Sequence, residues 1–596
     1  MSFMFHPYPY DDPRAVNPIT VDDLTAGDLT IGSLSVARKL QKQLSGRHIV
    51  GIDGYPGVQY DVIRRTFEQY IGATWIDASV ILRDDYEEKI LHCLPTDREI
   101  DPVLLYGVRY TDGIASLQDE EKAKALAKRI GETEGTVIVY GQGALSERLR
   151  TLYDTRIWID VTPKQAALNF KYGKAVNLHS DKALPFAQCM RRNYYVDYEN
   201  AVDLRWDLIR KGAIDLYISA DDPTNMQMMP YASLKKVFDA LDRKPLRCKP
   251  VYLEGVWGGF YFTSLRHLPK EMRNCAWVFD MIPMEVSLVA EFCGKKIEVP
   301  FFTFVQEQGK QLLGEKAYDQ FGGYFPVRFN YDDTYHGNGN MSIQCHPDAD
   351  YVMKTHGELG RQDESYYICV TGQQACTYLG FKEKESCKEF FKVAREAEKS
   401  HEKIDYKKYV NAVLSFPGRQ VMIPAGTIHS SGRNQVVLEI GSLTIGSYTY
   451  KLYDYQRIDP QSGLPRPIHL NAGEKVIRGE RTADWVEKNI VDHGYIVRQG
   501  DGWMEKVVGE HDLLYFSLRN LVFEKEIEDD TKGTFHVLAL VDGEKIRVES
   551  IGDPSLFYEA QSLDILVIPS TFGKYRIINE GEGVVTVHKT MLKETK

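Results

Sequence analysis

The chain has 596 residues, too many for one core, and points to three or four domains. Hydrophobic residues are 43% and charged residues 26%, a globular balance rather than a disordered one. A net charge of −11 argues against a nucleic-acid partner, and no apolar run reaches the roughly 20 residues that span a bilayer.

The start, MSFMFHPYPYDDPRAVNP, lacks a basic segment followed by an apolar core, so no signal peptide is expected. Nine scattered cysteines without a CxxC pair read as reduced thiols of a cytoplasmic protein. Residues 1–45 read as an N-terminal extension that closes on a helix, SLSVARKLQKQL. RHIVGIDGYPGVQYD then begins a strand, a glycine turn and a helix. ATWIDASVIL, GTVIVYG and TRIWIDV are apolar strand-like runs, with DEEKAKALAKRIGE a helix between two of them. Such alternation predicts a parallel α/β domain over 46–235, with IDLYISADDP near its end.

Gly51, Gly54 and Gly57 sit where a phosphate-binding turn would lie. That turn needs a lysine for the β/γ phosphates and a Ser or Thr for Mg²⁺. Here Val58, Gln59 and Tyr60 follow instead. IVGIDGYPG, with the later YYVDYENAVDLRWDLIRKGAIDLYISADDP, resembles the uridine-kinase-like branch of P-loop kinases over about 46–225. The resemblance implies a degenerate kinase fold, without the cationic groups that phosphoryl transfer relies on.

After PLRCKPVYLEGVWGGFYF the texture becomes all-β: KKIEVPFFTF, GGYFPVRFNY, MSIQCHP, SYYICVTG and QACTYLGF are short strands with turns between them. A helical insertion is expected near 382–414, and strands resume at GRQVMIPAG. Residues 250–500 read as one β domain and 501–596 as a second, related barrel.

Within SIQCHPDADY, Gln344 and His346 stand two apart and project to one strand face, with Ser342 on the same side. Glu364 precedes the strand SYYICV, and His429 follows a Pro-Ala-Gly turn in GRQVMIPAGTIHSSGRN. A lone inward histidine is usually a hydrogen-bonded core residue. Two imidazoles, a carboxylate and an amide arriving together are a divalent-metal set. The spacing of Gly418, Pro424, Ala425, Gly426, His429 and Asn434 closely matches the second cupin motif.

The region from about 250 onward resembles type I mannose-6-phosphate isomerase, a two-cupin zinc enzyme. GVWGG, CAWVF, SIQCHPD, ESYYI, IPAGTIHSSG and YTYKLYDYQR occur in the family's order. The two resemblances together imply a fold of α/β plus all-β type: a P-loop kinase-like domain, then a metal cupin and a metal-free cupin. The isomerase resemblance implies Gln344, His346, Glu364 and His429 as ligands of Zn²⁺ or another divalent metal. It makes Lys451 and Glu439 catalytic, sets Arg328 toward the phosphate, and lines the substrate pocket with Ser342, Gln362 and Arg457.

Two departures stand out. Gln362 replaces a family lysine and Lys451 a family arginine, and Arg→Lys is not conservative at a bidentate site. The expected activity is interconversion of mannose 6-phosphate, or a close sugar phosphate, with its ketose through a cis-enediol. The alternative is a catalytically weak sugar-phosphate-binding or regulatory protein. A metal cupin of other chemistry, such as a dioxygenase, is a third reading. The expected partner is a small sugar phosphate, with neither nucleic acid nor membrane.

Overall fold

The computed structural model of the chain describes residues 6–593 apart from 45, 181, 359 and 460–462. In the N-terminal half, apolar runs too short for helices form five parallel strands. They are β1 (Ile49–Gly54), β2 (Ala73–Asp77), β3 (Thr136–Tyr140), β4 (Thr155–Asp160) and β5 (Leu216–Ser219). Their order is β5-β4-β1-β3-β2, and helices such as Glu120–Glu132 connect them. The central strands are buried along nearly their whole length, which is why they read as continuous rather than alternating apolar runs. An antiparallel β6 (Gln227–Pro230) and the two-residue strand Thr30–Ile31 finish one edge. The helix Tyr231–Leu241 carries this unit beyond the expected limit at 235.

The glycine turn after β1 is filled by the protein itself. Residues 51–58 are all buried. Asp53 accepts from the backbone N–H groups of Gly54 (2.8 Å), Leu145 (2.8 Å) and Gly143 (3.2 Å). Gly57 has φ +104°, and a Cβ there would lie 2.8 Å from Ala166 Cα. The turn therefore packs directly on the helix Pro163–Lys171.

The second half is antiparallel. One sheet has the order β14-β11-β16-β9-β8-β7. Its strands are β7 (Val251–Leu253), β8 (Trp277–Met281), β9 (Val327–Asp333), β11 (Glu364–Thr371), β14 (Gln420–Ile423) and β16 (Gln435–Ser442). The other has the order β13-β12-β15-β10-β17. It contains β10 (Ile343–Cys345), β12 (Cys376–Phe381), β13 (Val410–Leu414), β15 (His429–Ser431) and β17 (Tyr450–Tyr453).

The expected helical insertion at 382–414 is shorter. The helix spans Ser386–Ser400, and Val410–Leu414 is a strand. Its apolar–polar alternation pairs with β12, and the resulting edge hydrogen bonds outweigh helix continuation. The boundary expected at 501 falls inside a hairpin, because Tyr495–Gly500 pairs with Trp503–Gly509 across Asp501-Gly502. Six- and four-stranded sheets form the C-terminal unit. All nine cysteines are free, and among the described residues no helix is long and apolar enough to cross a membrane.

The N-terminal extension is stitched into the β half rather than separate from it. Asn17–Pro18 adds a parallel strand to Ser287–Phe292. Asp12 joins a buried ion cluster with Arg247, Arg266, Asp280 and Asp564. Arg266 Nη1 lies 2.6 Å and Arg247 Nη2 2.9 Å from Asp564 Oδ1. Removing one partner of a buried pair strands the others, so Arg266→Met is expected to cost about 3–5 kcal/mol. A lowered urea midpoint would register this loss.

Candidate metal centre

The two antiparallel sheets deliver His346, Glu364 and His429 to one buried point. His346 follows β10, Glu364 opens β11 and His429 opens β15. The Pro424–Gly426 turn ties the two histidine segments together. Gly426, at φ +87°, donates its N–H to His346 O at 2.7 Å.

Each imidazole is oriented by a main-chain carbonyl. His346 Nδ1 lies 3.1 Å from Tyr448 O, and His429 Nδ1 lies 2.9 Å from Thr427 O. A carbonyl can only accept, so both Nδ1 atoms carry the proton and both Nε2 lone pairs face inward. His346 Nε2 is 3.1 Å from Glu364 Oε1, and His429 Nε2 is 3.3 Å from Glu364 Oε2. Yet His346 Nε2 and Glu364 Oε2 have no hydrogen-bond partner among the described residues. Donor atoms about 2.0–2.1 Å from a tetrahedral ion stand about 3.3 Å apart, so these separations suit a divalent metal better than hydrogen bonds. Burial disfavours the charged form of Glu364, but His346, His429 and Arg328 outweigh it and hold the carboxyl well below its usual range. Burial also pushes the His346 imidazole down, against the pull of Glu364, and favours the neutral form a metal requires.

Gln344 is the fourth expected ligand. It pairs across the strand with His429, and its Nε2 lies 3.4 Å from His429 Nε2. Its Oε1 instead accepts from Ser342 Oγ at 3.0 Å. Turning the amide over exchanges these two atoms.

Arg328, expected to face a phosphate, is engaged internally. Its Nη2 donates to Glu364 Oε1 at 2.7 Å and to Glu439 Oε1 at 3.1 Å. Gly441 lies opposite both Arg328 and Glu364 in the sheet, and a Cβ there would come 2.9 Å from Arg328 Nε. The missing side chain is what lets the guanidinium reach the carboxylate. Gln362 is likewise a support: its Nε2 donates to Glu364 Oε1 at 3.0 Å and its Oε1 accepts from Tyr448 N at 2.9 Å.

Burial and the nearby Glu364 charge raise Glu439 to about 7, against Arg328. Asp332, two strand residues beyond Asn330 on β9, shares a hydrogen bond with Glu439, and burial raises it well above the usual range. Lys451 lies opposite Gln344 on β17. Burial, with Arg466 adding, lowers it to about 8. Its Nζ is 4.0 Å from Asp454, which also binds Arg457 (2.8 Å) and Arg466 (3.0 Å). Three cations thus surround one carboxylate.

Asp332, Asp454 and Arg466 were not singled out from sequence. Asp332 was findable, since Arg328, Asn330 and Asp332 share one strand face at spacing two. Arg466 carries no local signal.

A buried His–Glu–His centre between two antiparallel sheets is the class of site on view. Its relatives follow from comparison. The chain is 24% identical over 345 residues to the mannose-6-phosphate isomerase ManA of Bacillus subtilis (strain 168), covering 58% of this chain and 98% of that protein. It is 29% identical over 241 residues to the probable mannose-6-phosphate isomerase GmuF of the same organism, covering 39% and 68%. Among solved structures, the mannose 6-phosphate isomerase from Bacillus subtilis aligns with TM-score 0.46 and 19% identity, over 58% of this chain and 99% of that one. A zinc-bound mannose 6-phosphate isomerase aligns with TM-score 0.44 and 12% identity, over 59% and 100%. Residues 32–243 match a family described as a domain of unknown function (DUF8485).

Proposed function

We propose that the chain is a divalent-metal-dependent aldose–ketose isomerase that interconverts mannose 6-phosphate and fructose 6-phosphate. The observation that carries this reading is the His346–Glu364–His429 cluster, with its inward lone pairs and unpartnered buried donors. Similarity to mannose-6-phosphate isomerases across 58% of the chain supports the substrate class. His346, Glu364 and His429 would hold Zn²⁺ or a similar ion, joined by Gln344 once its amide is turned over. When bound, such an ion supplies a Lewis acid.

The rest belongs to the chain's own residues. Isomerisation through a cis-enediol moves a proton between C1 and C2. Glu439, at about 7, can take and return that proton near neutral pH. Lys451 offers a cation toward negative charge developing on the substrate oxygens. With Arg328 engaged by two carboxylates, the phosphate falls to Arg457 and Arg466 beside Asp454. The pH profile of kcat/KM tests these roles. The base must lose its proton near 7 and Lys451 must keep its own below about 8, so a narrow bell between those limbs is expected.

We also infer that the α/β unit, from residue 46 through the helix that ends at Leu241, is a kinase-like unit without transfer activity. The parallel sheet and the strand–glycine turn–helix support this, while Asp53 and Ala166 take up the turn. Two metal-site sheets of antiparallel strands between Val251 and Tyr453 support a cupin barrel there, and the C-terminal sheets, from Tyr495 onward, support a second one.

The deciding experiment is conversion of mannose 6-phosphate to fructose 6-phosphate, before and after chelation. Turnover lost with chelator and restored by Zn²⁺ is the expected result. Metal-loaded protein that binds the sugar phosphate without turnover would overturn the isomerase in favour of a binding role.

A further inference from the structure

The α/β half reaches into the framework of the metal centre through one short segment, Asp101–Arg109. Tyr106 Oη donates to Thr449 O at 2.6 Å, across 343 positions of sequence. Its ring stands edge-on to Tyr450, with centroids 5.4 Å apart. Gly107 O accepts from His356 Nδ1 at 2.7 Å, so His356 Nε2 is left to accept from Tyr450 Oη at 3.1 Å. Arg109 N donates to His356 O at 3.0 Å. The His356 ring in turn stacks on Tyr448, with centroids 4.3 Å apart. Asp101 lies 3.4 Å from the His469 imidazole Nε2, and the backbone N–H of His469 donates to Lys451 O at 2.7 Å.

The segment is itself held from the α/β side. Arg191 Nε donates to Tyr106 O at 2.7 Å, and within the segment Asp101 accepts from Tyr106 N at 2.7 Å. Tyr110 N donates to Tyr195 O at 2.8 Å. The segment is therefore clamped on one face and presents Tyr106 on the other.

What it grips is the stretch Tyr448–Lys451. That stretch is where three parts of the site are anchored. Tyr448 O orients His346. Tyr448 N holds Gln362, which holds Glu364. Lys451 is two residues past Thr449. A shift of this backbone would move a metal-facing imidazole, a carboxylate and the buried ammonium together.

We propose that Tyr106 is a positioning residue of the metal centre, and that the α/β half serves the site by fixing the Tyr448–Lys451 backbone. This rests on the metal reading above. It also assigns the kinase-like unit a role that needs no nucleotide.

The test is Tyr106→Phe in the full-length chain, which keeps the ring and removes one hydroxyl. Zn²⁺ affinity is measured by competition with a chromophoric chelator, and geometry by the visible spectrum of Co²⁺-loaded protein. Loss of one net hydrogen bond predicts affinity weakened about threefold to tenfold, and kcat lowered more than KM is raised. The Co²⁺ bands should shift. Tyr450→Phe, which cuts the link to His356 from the other side, should act in the same direction. Tyr110→Phe is the control: its hydroxyl bonds to Ser116 within the α/β half, so affinity and spectrum should stay unchanged. Wild-type affinity and spectrum in Tyr106→Phe would overturn the proposal, as would an equal loss in Tyr110→Phe. Failure of the wild-type chain to take up Zn²⁺ or Co²⁺ would instead overturn the metal reading itself.

Discussion

Glu364→Gln is expected to weaken divalent-metal binding by at least about 10³-fold, equivalent to about 4 kcal/mol, and to abolish isomerase turnover. The substitution preserves shape but removes the only carboxylate among the three converging donors. It also leaves His346 and His429 facing a neutral amide, and weakens the Arg328 contact from a carboxylate to an amide oxygen. Glu439 remains beside Arg328 at 3.1 Å, so the guanidinium keeps a partner and the sheet should hold. Equilibrium dialysis with Zn²⁺ checks the result alongside circular dichroism. A folded Glu364→Gln chain that still retains one ion at wild-type affinity would remove this cluster as the metal centre.

Lys451→Met is expected to separate activity from stability. Loss of a cation aimed at developing charge should lower turnover about 10²–10³-fold. Stability should move the other way. The folded state lowers Lys451 from its ordinary 10.5 to about 8, so the fold binds this proton less tightly than the unfolded chain does. Native stability is therefore reduced by the group at neutral pH, and recovers as pH rises from about 8 toward 10.5. A shift of that size corresponds to about 3 kcal/mol. Methionine removes the charge while keeping length and apolar volume, and Asp454 still has Arg457 and Arg466. The urea midpoint at pH 7 should rise above wild type, with the gap narrowing at higher pH. Full activity in Lys451→Met would end its catalytic role.

The part of this site that was legible in the sequence was set by local geometry. Gln344 and His346 share a face because strand side chains repeat every second residue. His429 follows a turn whose glycine takes φ +87°. The parallel strands of the α/β half were readable as apolar runs, and the helix at Glu120–Glu132 as the charged, alanine-rich stretch between two of them. What was not legible depended on distant partners. Arg328 looked available for a phosphate, but its fate was decided by Gly441, more than a hundred residues later, which opens the way to Glu364. Val410–Leu414 looked helical by proximity to Ser386–Ser400, yet sheet pairing with Cys376–Phe381 claims it. The contact of Tyr106 with Thr449 had no sequence signature at all.

The arm that carries Asp12 has a consequence for how the molecule is made. Arg14 Nη1 donates to Gln561 Oε1 at 2.8 Å, across 547 positions, and Asp12 shares its ion cluster with Asp564. These contacts have nearly the highest sequence separation the chain permits. The α/β half can collapse on the ribosome as soon as Leu241 has emerged, and Asn17–Pro18 can pair once Ser287–Phe292 exists, but the contacts to Gln561 and Asp564 must wait for the last strands. Closing so long a loop makes these C-terminal contacts of the arm a late, slow step. Without Asp564, the acidic partners of Arg247 and Arg266 among the described residues are only Asp12, at 3.8 and 3.9 Å, and Asp280, at 3.7 Å from Arg266, so Asp564 completes their charge balance. The ion cluster around Arg247 and Arg266 is thus among the last parts of the fold to close.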